Sequence, residues 1–351
     1  LHSFPTRRSS DLLLRYFVDF NFGYNGSENF ATGHQFGFFP AYSFAWNIAE
    51  ESIIKKNFKW INMFKVRFSH GKVGNDNLGD NRFPFLYTIT DKIPDPNDKN
   101  KTIDRPGYNW GQYGSTNSFV GLSFSSVASP YVTWEIATKN DLGVDLSLFN
   151  ERFLATVDYF NERRDGIYME RKYLPSMVGL GSNPSANVGA VKSKGFDGNF
   201  TYKQSIGNVN LTVRGNITYS KNEVLEKDEE NKVYKYQREE GYRVEQNKGL
   251  IALGLFKDYD DIRNSPTQTY GTYQPGDIKY KDVNGDGIVD DGDKVAIGST
   301  TKPNLVYGLG ASGSWKGLDL NIHFQGSGKS TYFIYGKCVY AFSEGEWGVP
   351  F

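Results

Sequence analysis

The sequence predicts an all-β protein, part of an antiparallel transmembrane β-barrel, and three observations carry that prediction. Apolar and polar residues alternate with a period of two over long runs, and short and long connections between those runs also alternate. Aromatic residues make up 16% of the chain, beside 38 glycines. A single all-β architecture of this kind can reach 351 residues, so length alone sets no domain count.

Taken in order, residues 1–12 show neither signal-peptide organisation nor strand alternation. Arg8-Ser-Ser-Asp-Leu12 is what a common sequencing adapter encodes in one frame, so this segment is read as non-native and the barrel portion as 13–351. Residues 64–69, 144–149, 153–160 and 196–202 give alternating strand signals. The clearest run spans 209–219, where Val209, Leu211, Val213, Ile217 and Tyr219 face one way and Asn210, Thr212, Arg214, Asn216 and Thr218 the other. Leu305, Tyr307, Leu309, Ala311 and Trp315 repeat it, as do Leu318, Leu320, Ile322 and Phe324 against Asp319, Asn321, His323 and Gln325. The predicted outward set is Leu211, Val213, Ile217, Leu309, Leu320 and Ile322.

Asn150-Glu151, residues 205–208 and Lys316-Gly317 read as tight reversals, whereas the links near 164–193 and 222–303 are long. In an antiparallel meander this parity gathers the short turns at one end and the long loops at the other. That is the layout of an outer-membrane barrel, with long extracellular loops expected at 71–130 and 222–303. A soluble lipocalin-type barrel would turn its polar residues outward instead, and sequence does not fix which face is outside. The long stretches carry Tyr87, Tyr108, Trp110, Tyr113, Phe119 and Phe124, which either pack the loops together, the simpler reading, or offer flat faces to sugar rings.

Forty basic and forty acidic residues cancel, which removes the electrostatic argument for nucleic-acid binding. One cysteine, Cys338, excludes an internal disulfide and a cysteine zinc site, and His2, His34, His70 and His323 never stand at i, i+4 spacing. No apolar run approaches the roughly 18–20 residues of a spanning helix. A barrel escapes that test because only every second residue meets lipid.

From Asp282 to Asp293, oxygen donors occur at loop positions 1, 3, 5, 9 and 12, with glycine at 6. A structural Ca2+ is expected on Asp282, Asn284, Asp286, Asp290 and Asp293, with the Ile288 carbonyl; Gly287 takes the sharp turn. Asp replaces the usual closing Glu and no flanking helices are evident, so the loop resembles those of dockerins. An Asx-rich turn without metal is the alternative, favoured by the same residue types. Gly308-Leu-Gly-Ala-Ser-Gly313 matches a dinucleotide fingerprint formally but sits inside an alternating strand, so its glycines are read as permitting close approach. Glu135, Asp141 and Asp145 are read as lining of a polar lumen, and no catalytic residues or substrate-binding residues are assigned.

Several blocks together resemble TonB-dependent outer-membrane transporters of the SusC/RagA type: Phe39-Pro-Ala-Tyr-Ser-Phe-Ala-Trp46 with Glu50-Glu51; Phe64 to Asn75; Trp134-Glu135 through Tyr159-Phe160; Asn187 to Phe196; and Gly276 to Gly287. Their order and spacing also match, from about Phe36 to Gly328. The resemblance implies uptake of large nutrients, oligosaccharides or peptides, across the outer membrane with energy from TonB, and a SusD-like surface lipoprotein as lid. It implies a 22-stranded plugged parent, of which this chain is the C-terminal barrel part of about a dozen strands, lacking plug and TonB box. Phe351 mimics a terminal barrel aromatic, but residues 344–351 lack alternation. A passive porin and a secreted calcium-stabilised sugar-binding or adhesive β-protein remain the alternatives.

Overall fold

The period-two runs become one ten-stranded sheet in which sequence neighbours are also spatial neighbours. Its strands are β1 (Thr6–Leu12), β2 (Tyr16–Gly26), β3 (Phe36–Asn47), β4 (Ile61–Asn75), β5 (Glu135–Leu148), β6 (Phe153–Glu170), β7 (Ser185–Ile206), β8 (Val209–Glu226), β9 (Leu305–Trp315) and β10 (Leu318–Gly328). The computed structural model describes residues 6–12, 15–79, 82–94, 101–104, 107, 109–110, 117–172, 174, 177 and 183–334. Cys338 and residues 344–351 lie outside them. Among the described residues no helix is long and apolar enough to cross a membrane.

Register sorts the residues by face. Leu211 stands opposite Gly313 and, beyond it, Leu320; Val213 opposite Ala311 and Ile322; Ile217 opposite Tyr307; Leu309 between Gly215 and Phe324. The predicted outward set therefore shares one face. On β2 to β4 the same logic aligns Val18, Phe44 and Phe68, and all three are exposed. An apolar sheet face left open over this many strands is what a lipid-facing wall requires.

Several strands run further than the alternation indicated. β4 reaches Asn75 and β8 reaches Glu226, so the long links are 76–134 and 227–304, and the link after β6 shrinks to 171–184. Among the described residues the sheet has ten strands, beside the dozen or so expected of the whole chain, and two long links absorb chain that an average spacing assigned to wall. β1 falls in the segment expected to lack strand character, yet it pairs antiparallel with β2, Thr6 opposite Phe22 through Leu12 opposite Tyr16. An open sheet edge offers backbone donors and acceptors to any chain, so such pairing asks nothing of side chains. Lys316 and Gly317 both have positive φ, the geometry of a two-residue hairpin turn.

The chain divides into two compact units, Leu1–Asp145 with Asp158–Ser193 and Leu225–Asn231, and Leu146–Val157 with Lys194–Val224 and Lys232–Phe351. In the first, Phe30, Phe39, Leu78, Val132 and Trp134 form a buried cluster at the long-loop ends of the strands, and the Trp134 indole donates to the Gln35 carbonyl at 3.2 Å. Asn187 acts there as a piece of backbone: its side chain accepts from Thr133 N–H and donates to the carbonyls of Thr133 and Gly166, all within 2.9 Å. In the second unit the 227–304 link is folded. Gln246–Gly249 pairs with Val295–Thr300, Ala252–Leu255 with Ile278–Tyr280, and Thr267–Gln268 with Ile288–Val289, around the buried Phe256 and Val289.

Candidate functional site

Two features can act on a solute or an ion: the polar face of the wall and the long links at one end of it. On the polar face of the first unit, Arg67 on β4 holds Asp145 on β5 through Nε at 2.7 Å and Asp158 on β6 through Nη2 at 2.8 Å. Gly143 makes room, since a Cβ there would collide with Asp158 and lie 2.8 Å from Arg67. Higher up, Arg164 pairs with Glu135 and Glu162, and Lys139 with Glu162. Of the three carboxylates singled out in the sequence, Glu135 and Asp145 are thus matched by cations on neighbouring strands, as suits a water-exposed lumen lining. Gly308 and Gly310 lie on β9 beside Asn216 and His323, where a Cβ would crowd those side chains, so the fingerprint match has no nucleotide geometry.

The acidic loop closes on itself. Asp282 Oδ1 and Oδ2 accept from the Gly285 and Gly287 amides at 2.6 and 2.8 Å, and Asn284 Oδ1 accepts from Asp286 N–H at 2.9 Å. Asp286 accepts from Ile288 N–H at 2.8 Å and Asp290 from Gly292 N–H at 2.6 Å. Gly287, with φ +83°, takes the expected turn. Asp293 is fully buried, its charge met by the amides of Val283, Asn284 and Asp290 at 2.7, 3.2 and 2.9 Å. Among the described residues no three acidic, histidine or cysteine side chains converge as a ready metal-ligand group. A single amide leaves an oxygen one of its two lone-pair sites, so hard oxygen donors remain in kind, although Asp293 Oδ1 accepts from two amides.

The loop's packing partners were not legible in the sequence. Tyr236 and Gln237 both donate to the Gly292 carbonyl, at 2.9 and 3.1 Å. Tyr270 donates to Asp291 at 2.9 Å; burial, that hydrogen bond and the surrounding carboxylates push its pKa up to about 12. The Lys294 ammonium and the Tyr270 hydroxyl hold Asp291 below the usual carboxylate range. Of the loop aromatics, Tyr87 and Phe119 are exposed; Tyr108 and Tyr113 lie outside the described residues, as do the side chains of Trp110 and Phe124.

An antiparallel meander with an apolar outer face, a charge-paired inner face and long links at one end defines the wall of an outer-membrane β-barrel. Residues 11–336 match the TonB dependent receptor-like, beta-barrel family, and the chain belongs to that family, as a member of the SusC/RagA type in the outer membrane. It is 27% identical over 337 residues to TonB-dependent receptor P26 of Formosa agariphila, covering 92% of this chain and 31% of the relative. To TonB-dependent receptor SusC of Bacteroides thetaiotaomicron it is 23% identical, over 93% of this chain and 31% of the relative. The RagAB peptide importer in its open-open state has the same fold, with a TM-score of 0.68 at 18% identity, over 93% of this chain and 32% of that one. The chain spans about a third of the length of these relatives. The family is one of receptors and transporters, not of enzymes.

Proposed function

We propose that this chain supplies wall and long-loop face to a TonB-driven importer of large nutrients, oligosaccharides or peptides, covered on its outer side by a SusD-like lipoprotein. The observation that carries this is the segregation of the long links 76–134 and 227–304 to one end of a wall whose opposite end has mostly short turns. Long links at one end, read by the barrel rule, face outward, and the short turns face the periplasm. The family match and the RagAB fold support the same reading. Solute uptake by cells carrying the complete protein and its lipoprotein tests it. Uptake should fall to the level of a null strain when TonB is deleted; uptake that persists without TonB would make the protein a passive pore.

Calcium belongs to the same proposal. Asp282, Asn284, Asp286, Asp290, Asp293 and the Ile288 carbonyl would hold it, at the weak affinity of about 10⁻⁴ to 10⁻³ M typical of extracellular sites, and it would stiffen the link beneath the lid. Chelator should expose residues 282–293 to protease in the unaltered protein, and Asp282→Ala with Asp286→Ala should abolish the difference. Protection indifferent to chelator would leave the loop an amide-closed turn.

A further inference from the structure

The connections at the short-turn end are five, and they are unequal; that from β1 to β2 spans residues 13–15. Three more are as short, at residues 149–152, 207–208 and 316–317, but the link from β3 to β4 spans 48–60 and contains a 3-10 turn, Ile48–Glu50, and the helix α1 (Ser52–Asn57). A hairpin needs only about two to five residues, so closing the chain does not explain the extra length. Ile53 is 73% exposed here, and Phe58 and Trp60 are exposed with their rings edge to face, 6.3 Å apart. Lys55 pairs with Glu50, while Lys56 and Lys59 are exposed.

Beside the link, Tyr16 and Trp46 stand opposite each other on the apolar face of β2 and β3. The Tyr16 hydroxyl and the Trp46 indole both donate to the Glu51 carboxylate, at 2.9 and 3.2 Å. On a lipid-facing wall the polar tips of such aromatics mark the membrane–water boundary. The link therefore starts at that boundary. Trp60 has the parity of Val66 and Phe68, which register places on the apolar face opposite Trp46 and Phe44. Trp60, with Phe58 packed against it, thus extends the lipid-facing surface beyond the strand.

We infer that residues 48–60 form an interfacial anchor. Ile53, Phe58 and Trp60 enter the head-group layer at the short-turn end, and Lys56 and Lys59 bind the phosphates of anionic phospholipid. Aromatics and lysines are the residue types that suit this layer, one end of each side chain apolar and the other charged or hydrogen bonding. The inference rests on the orientation proposed above, which puts a phospholipid leaflet at this end.

The test uses the complete protein with its lipoprotein in nanodiscs of phosphatidylethanolamine with phosphatidylglycerol. With Cys338→Ser as background, a fluorophore is placed at Ile53→Cys, at Leu320→Cys on the wall and at Asn208→Cys in a tight turn. The Ile53 probe should be quenched by lipids carrying a shallow doxyl group and shielded from aqueous iodide; Leu320 should respond to deep doxyl and Asn208 to iodide. An Ile53 probe that behaves like Asn208 overturns the anchor, and a Leu320 probe open to iodide would instead sink the wall assignment. Each lysine near an anionic surface contributes about fivefold, so Lys56→Gln with Lys59→Gln should lower phosphatidylglycerol retention about thirtyfold by native mass spectrometry. Unchanged retention overturns the phosphate contacts. Shielding of Ile53 without lipid quenching, appearing only at high protein concentration or with periplasmic extract, would put a second copy or a protein partner there and overturn the proposal.

Discussion

Replacing Val213 by arginine tests the lipid-facing assignment most directly. Val213 sits on β8 with Ala311 opposite and Ile322 beyond it, all on the apolar face. From Val209 to Tyr219 a strand advances about 3.3 Å per residue, and a tilt of about 40° turns this into about 25 Å along the membrane normal, the height of the apolar band. Val213 stands about 10 Å above Val209 on that axis, close to the midplane. An arginine at this depth costs about 2–4 kcal/mol, a factor of about 30 to 900 in the folding equilibrium. The native sequence supplies the comparison, because Arg214 is the next residue and points to the polar face. Thr212→Arg, on that same face, should therefore change stability by no more than about 0.5 kcal/mol. Urea titration of the complete protein in lipid vesicles reads both variants, with heat-modifiable electrophoretic mobility as the check on assembly. Equal effects of the two substitutions, or no effect of Val213→Arg, would refute the orientation of the wall.

Asn187→Leu keeps the side-chain volume but strands the Thr133 amide and the carbonyls of Thr133 and Gly166, and should cost about 1–3 kcal/mol, seen as faster proteolysis within 127–134. Gly143→Ala should displace Asp158 from Arg67 at a cost of about 1 kcal/mol, since Arg67 is partly exposed, and the urea midpoint should fall accordingly. Tyr270 ionises near pH 10.0 when unperturbed and near about 12 in the fold. A raised pKa means its stabilisation is complete below pH 10 and is lost as pH climbs towards 12, so amide protection of 282–293 should decline across that window and Tyr270→Phe should flatten the decline.

The parts of the wall legible in sequence are those where one face meets lipid and the other water. Val209 to Tyr219 is such a run, and register left every member where alternation put it. The continuation of β6 to Glu170 was not legible, because Glu162, Arg163, Arg164 and Asp165 leave no apolar period; ion pairs with Glu135 and Lys139 take over from lipid contact there. The short strands inside 227–304 escaped for a related reason: two to six residues is too little chain to show a period, and their pairing is set by distant segments. In the acidic loop, donor spacing was readable because it is local, whereas Tyr236, Gln237 and Tyr270 come from far along the chain. Residues 48–60 showed only Glu50 and Glu51 as a block, and the exposure that makes the link informative is a property of the fold.

A link as long as 227–304 would lose much conformational freedom on docking a partner unless it is already fixed, and freedom lost on binding weakens affinity. The second unit fixes it at its base with side chains. The Asn304 amide donates to the Ser220 carbonyl at 2.6 Å and accepts from Arg243 and from the Ser299 hydroxyl at 2.9 and 2.8 Å, while its backbone carbonyl takes the Ser220 amide at 2.9 Å. Asn247 then spans the carbonyls of Ser299 and Thr331, at 2.9 and 3.0 Å. β8, β9 and the chain after β10 are thereby tied to both ends of the folded link by buried or half-buried polar groups, each of which would be costly to leave unpaired. Asn187 does the same for the first unit. In both places the ladder of backbone hydrogen bonds gives out where strands leave the wall, and an asparagine, carrying one donor group and one acceptor in peptide geometry, extends it by one more rung. That is why a link as long as 227–304 can present a fixed face.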